Sequence, residues 1–198
     1  MNYIFDNPWL RHIDESVMRW VQRNCRNRIT NFLMIIMTHL GGGIIWCVWA
    51  GWLCGHSETR KLGVCCFVSF GIAWIVSSQV LKKIFGRPRA YDAMEDVVPL
   101  IARPKDLAFP STHAADAFSV AVILMLTRPS AEGAAAMVLA FLTAYSRIHV
   151  GVHYLTDVIG GAVFGSLCAI VCWLGYIYLS FEVGGMGGPL GCVRPQGM

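Results

Sequence analysis

The chain has 198 residues, of which 56% are hydrophobic and only 14% charged, a mix that excludes an ordinary soluble domain and favours the membrane class. Its net charge of +4, without a basic stripe interleaved with exposed aromatics, excludes nucleic acid as a partner. Eight cysteines form no CxxC pair, and Cys47, Cys54, Cys65, Cys66, Cys168 and Cys172 lie inside apolar runs, where thiols pack as small hydrophobes.

The first stretch, residues 1–28, lacks the uninterrupted apolar core and small-residue cleavage site of a signal peptide. Trp9, Ile13, Val17, Trp20 and Val21 recur at helical spacing, with Arg11, Glu15, Arg19 and Arg23 on other faces. This pattern predicts an amphipathic helix lying along the membrane surface or packed as an ordinary surface helix. Five apolar runs follow: Phe32 to Cys54, Leu62 to Leu81, Ala114 to Thr127, Ala134 to Ala144 and Val158 to Phe181. A span needs roughly 20 helical residues, so the third and fourth runs reach that length only by including Ser111 to His113 and Ser146 to Arg147. The expected fold is all-α, a polytopic membrane helix bundle of about five transmembrane helices plus the N-terminal interfacial helix. It forms one membrane-embedded domain over residues 1–182, followed by a Gly- and Pro-rich tail, 183–198, expected to be disordered.

Five helices joined by short loops alternate in direction, which brings three polar segments to one face. The first is "KKIFGRPRA", where Lys82, Arg87 and Arg89 follow a helix ended by Gly86 and Pro88. Clustered cations suit either a phosphate, which the planar fork of an arginine matches, or the anchoring of a helix to anionic headgroups. The second is "FPSTH", where Pro110 and Ser111 mark a helix start whose amides at Ser111, Thr112 and His113 point out of the membrane, as in a cap or a phosphate seat. The third is "SRIHVGVHYLTD". A helix beginning near Gly151 sets His153 and Asp157 one turn apart, so the carboxylate can accept Nδ1–H and leave Nε2 unprotonated as a nucleophile. Arg147 ends the preceding helix and brings a fixed charge to the same face.

Together, Lys82-x6-Arg89, Pro110-Ser-Thr-His113 and Ser146-Arg147-x5-His153-x3-Asp157 resemble the three-part signature of the type 2 phosphatidic acid phosphatase superfamily, helical membrane lipid phosphatases that need no metal or other cofactor. The resemblance implies that His153 attacks the terminal phosphorus, Asp157 orients it, and His113 protonates the departing oxygen and then assists water. It implies that Lys82, Arg89, Arg147 and the backbone at Ser111 and Thr112 hold the phosphate oxygens. The chain departs from the pattern at Ala90, where a proline is usual, at Thr112, where a glycine is common, and at His149, where an apolar or aromatic residue is more usual. Arg87, Asp116 and His149 are therefore secondary candidates.

The implied substrate is a lipid phosphate or polyprenyl diphosphate, such as undecaprenyl diphosphate, phosphatidylglycerol phosphate or phosphatidic acid, presented from the bilayer. The compact core resembles bacterial enzymes of the cytoplasmic (inner) membrane. The cations place the active face in the cytoplasm by the positive-inside rule, whereas the resemblance often implies the outer or luminal face. Two other readings stay open: a membrane metallohydrolase using His149, His153 and Asp157, and a non-catalytic transporter of anions or lipid headgroups.

Overall fold

The computed structural model describes residues 7–183, and all regular structure among them is helical. Helix α1 (Pro8–Asn24) opens on Asn7, whose side chain accepts the Trp9 amide, with proline in the first turn. The buried face of α1 is Asp14, Met18 and Val21, while Trp9 and Trp20 are mostly exposed. Of the stripe expected to define the helix, Val21 docks and Val17 packs against the core, whereas the two tryptophans do not dock. A carboxylate sits in the packed face because it has partners there, described below.

Helix α2 (Arg28–Leu40) starts with a capping box between Asn27 and Thr30. It meets α3 (Ile44–Gly55) at a bend of 49°, so the run expected as one continuous helix from Phe32 to Cys54 is broken. The cause is Gly41 to Gly43. Gly43 has φ of 122°, open only to glycine at low cost, and a Cβ on Gly42 would lie 2.7 Å from Nε2 of His113.

Helix α4 (Arg60–Ile75) continues through a widened turn, Val76–Leu81, into the short α5 (Lys82–Phe85). Such a turn rotates the residues beyond it relative to a regular helix. Gly86, in the left-handed region at φ 57°, closes α5 before α6 (Ala90–Ala93) and a loop lead to α7 (Thr112–Thr127). Helices α8 (Ala131–His149) and α9 (Leu155–Val183) complete the bundle.

Helix α7 is the hub, buried on nearly every side through residues such as Ala117, Phe118, Val120, Ala121 and Leu124. Helix α9 lies close against it because glycines remove side chains at the crossing. A Cβ on Gly161 would fall 2.3 Å from the Ser111 carbonyl oxygen, and one on Gly165 would fall 2.1 Å from that of Ala115. Apolar side chains such as Val48, Trp52, Val163 and Val171 cover the outside, as a lipid-facing surface requires.

By length and composition, Ser57–Ala93 and Leu155–Leu179 can each cross a membrane, and the bent α2–α3 pair adds a third crossing if it is one span. Helix α7 is apolar but shorter. The protein is an all-helical membrane protein, and the expected apolar runs lie on helices apart from the break at 41–43 in the first. The Gly- and Pro-rich tail from residue 184 onward lies outside the described residues.

Candidate active site

Helix ends and the loop before α7 enclose a cavity of about 220 Å³ lined by Lys82, Arg89, Thr112, His113, Arg147 and His153, with Gly42, Asp106 and Asp116. Lys82 comes from α5, Arg89 from the residue before α6, Thr112 and His113 from the first turn of α7, and Arg147 from the last turn of α8. A larger groove of about 620 Å³ lies against α4 and α9, but its lining is apolar apart from Arg60, Lys61 and Tyr176, so it offers no comparable chemistry.

His153 does not ride on a helix. Helix α8 ends at His149, Gly151 turns the chain at φ 81°, and the amides of Val152 and His153 both return to the Arg147 carbonyl at 3.2 and 3.3 Å. Helix α9 starts at Leu155 rather than near Gly151. The pairing survives this shift because Asp157 folds back over the first turn: its Oδ2 accepts the Tyr154 amide at 2.9 Å and lies 3.5 Å from Nδ1 of His153. The other ring nitrogen, Nε2, is 3.1 Å from Nη1 of Arg89. A guanidinium can only donate, so Nε2 is the acceptor and the ring proton belongs on Nδ1, facing Asp157.

Burial, followed by the charges of Arg89, Arg147 and Lys82, holds the His153 pKa well below its ordinary 6.5. The imidazole therefore stays neutral, its Nε2 unprotonated, as pH falls through 6.5 and protonates only at a lower pH. The ring chemical shifts of His153 should stay constant as pH falls through that range and move only below it. A titration midpoint at or above 6.5 would contradict this.

Arg147 donates from Nη1 to Thr38, and its Nε has no partner among the described residues. Lys82 and Arg89 share one carboxylate, Asp106: Arg89 reaches Oδ1 from Nη2 at 2.6 Å and the Asp106 carbonyl from Nε at 2.8 Å, and Lys82 bonds to Oδ2. Burial pushes the Asp106 carboxyl up, but the hydrogen bond and charge of Lys82, joined by Arg89, outweigh it and hold the group below the usual carboxylate range. Sequence reasoning missed Asp106. Only its place in the loop between two motifs pointed to it.

The remaining candidates separate. Arg87 turns away from the cavity to bond Asp157 Oδ1, Thr156 Oγ1 at 2.7 Å and Asp14 Oδ2 at 2.6 Å, so of the two neighbouring arginines Arg89 faces the cavity. The Ser111 amide, expected at the phosphate, instead donates to the Asp157 carbonyl at 3.0 Å, and Ser111 does not line the cavity; its hydroxyl, like that of Thr112, has no partner among the described residues. Asp116 lines the cavity with Oδ1 likewise unpartnered. His149 is not brought to the site: Nε2 faces Asn31 Oδ1 at 3.0 Å, and Nδ1 faces the Tyr145 hydroxyl at 3.4 Å. The metal-ligating face of His149, His153 and Asp157 is therefore not assembled. Among the described residues, no three His, Cys, Asp or Glu side chains are grouped to hold a metal ion. Asp14 was also missed; its spacing of i, i+4, i+7 with Met18 and Val21 was the available signal.

A cation-lined cavity at converging helix ends, with an oriented histidine and aspartate, defines the class implied by the three motifs. The PAP2 superfamily profile matches residues 62–180, and the chain belongs to that superfamily. It is similar to an undecaprenyl-diphosphatase of Sulfolobus acidocaldarius, 32% identical over 152 residues that cover 77% of this chain and 70% of the relative. It is also similar to undecaprenyl-diphosphatase BcrC of Bacillus subtilis, 33% identical over 66% of this chain and 63% of that protein. In three dimensions it resembles a transmembrane PAP2-type phosphatidylglycerolphosphate phosphatase from Bacillus subtilis, with a TM-score of 0.75, 24% identity, and coverage of 94% of this chain and 93% of the other, a likeness of fold.

Proposed function

We propose that the protein is an integral-membrane phosphatase that removes the terminal phosphate of a lipid phosphate or polyprenyl diphosphate through a phosphohistidine at His153, without a metal ion. The observation that carries this reading is the cavity in which an unprotonated Nε2 is surrounded by Arg89, Lys82, Arg147 and His113. Phosphoryl transfer depends mainly on position and charge stabilisation, and this arrangement supplies both.

The Nε2 lone pair forms a bond to phosphorus as the bond to the lipid oxygen breaks, and His113 gives that oxygen a proton. Water then attacks the phosphorus, losing its proton to His113, while the bond to Nε2 breaks and inorganic phosphate leaves. Arg147, Lys82, Arg89 and the hydroxyl of Thr112 hold the non-bridging oxygens, with Asp106 yielding its hold on Lys82 and Arg89. Among the candidate substrates, the names of the two relatives favour undecaprenyl diphosphate over phosphatidylglycerol phosphate and phosphatidic acid. The bacterial cytoplasmic membrane is the proposed location, on the strength of the compact core.

Phosphate release by the purified protein in detergent, from a panel of these lipids with and without chelator, tests the reading. Turnover of at least one lipid, undiminished by chelator, is expected. No release from any of them, or activity lost to chelator and restored by zinc, overturns it.

A further inference from the structure

We propose that Asp14 of the N-terminal helix is a positioning residue for the nucleophile, acting on His153 through Arg87, Thr156 and Asp157. The inference rests on the reading of His153 as the attacking group. Asp14 lies outside the stretch that matches the family profile, yet it is 1% exposed and fully engaged. Its Oδ1 accepts the Thr156 amide at 2.9 Å, and its Oδ2 accepts both the Thr156 hydroxyl and Nη2 of Arg87, the latter at 2.6 Å.

Two consequences follow from these bonds. Thr156 is the second residue of α9, and its amide is one of the donors that a helix start leaves without an intrahelical acceptor. Asp14 supplies that acceptor from another helix, fixing the turn from which Asp157 projects. Arg87 is shared between two buried carboxylates, Asp14 and Asp157. With Asp14 present, the positive charge of Arg87 is divided between them, and the two carboxylates with one guanidinium leave net negative charge to stabilise the imidazole as it acquires positive charge in the attack. Without Asp14, Arg87 is balanced by Asp157 alone, and the carboxylate facing Nδ1 is weakened at its task. Neither effect touches Lys82, Arg89 or Arg147, so the loss falls on the chemical step and not on substrate binding.

The test is phosphate release by the full chain in detergent, comparing wild type with Asp14→Asn, Asp14→Glu, Met18→Ala and His153→Ala. Met18 is buried on the same face of α1 and has no part in the polar network, so its truncation loosens the docking of the helix alone. Asp14→Asn is expected to lower kcat by about ten- to a hundredfold with KM within about twofold, by analogy with groups that orient a reacting side chain. Asp14→Glu should recover part of that loss. A kcat equal to wild type in Asp14→Asn overturns the inference, as does an equal loss of kcat in Met18→Ala at matched melting temperature. If Asp14→Asn fails to fold, the decision passes to Asp14→Glu against Met18→Ala on the same criterion. Wild-type inactivity on every lipid phosphate, or full activity of His153→Ala, sinks the underlying reading and this inference with it.

Discussion

Replacing His153, the proposed nucleophile, with alanine should reduce phosphate release by at least about a thousandfold in kcat, because an attacking group cannot be replaced by its surroundings. Arg89 and Asp157 each contact one edge of the ring, and neither is a nucleophile toward phosphorus at its position. His153→Gln is the stricter comparison, since it keeps an acceptor for Arg89 while removing the ring nitrogen proposed to bond to phosphorus. Phosphate release and a melting curve on both variants check the expectation. Turnover near the wild-type rate in a folded variant would remove His153 from the reaction.

Gly165→Ala should destabilise the protein by about 3 kcal/mol, through overpacking at the tightest crossing in the bundle. The new Cβ would sit 2.1 Å from the Ala115 carbonyl oxygen, which is backbone and cannot swing aside. Helices α7 and α9 must therefore separate, stretching the bond from the Ser111 amide to the Asp157 carbonyl that ties the start of α7 to the first turn of α9. Activity is expected to fall along with stability, because His113 and Asp157 ride on the two displaced helices. Gly175→Ala, where no heavy atom lies within 4 Å of the added carbon, is the control and should melt like wild type. Equal melting of the Gly165 and Gly175 variants would show that the crossing is looser than described.

The helical class and the convergence of the polar segments could be read in advance because apolar runs and charges are segregated along the chain. Lys82, Arg89, His113, Arg147 and His153 each stand at the end of such a run, so alternation of helix direction brings them to one face. What stayed hidden depends on partners distant in sequence. The glycines at 41–43 looked like small residues inside an apolar span; their role as a bend appears only where His113 and Thr143 crowd against them. Asp14 and Asp106 carry only faint local signals, a helical spacing and a place between motifs, since a carboxylate's value there comes from Arg87 in one case and from Lys82 and Arg89 in the other. His149 shows the converse, for its regular spacing with His153 and Asp157 on paper is undone by the left-handed turn at Gly151.

The carboxylate of Asp106 means that Lys82 and Arg89 do not present bare charge to whatever drifts into the cavity. An arriving anion must swap places with a tethered competitor, so association is an ion exchange with a built-in threshold. Weakly charged carboxylic lipids, able to match only what Asp106 already supplies, gain nothing by entering. A group that can also engage Arg147 has a reason to displace it.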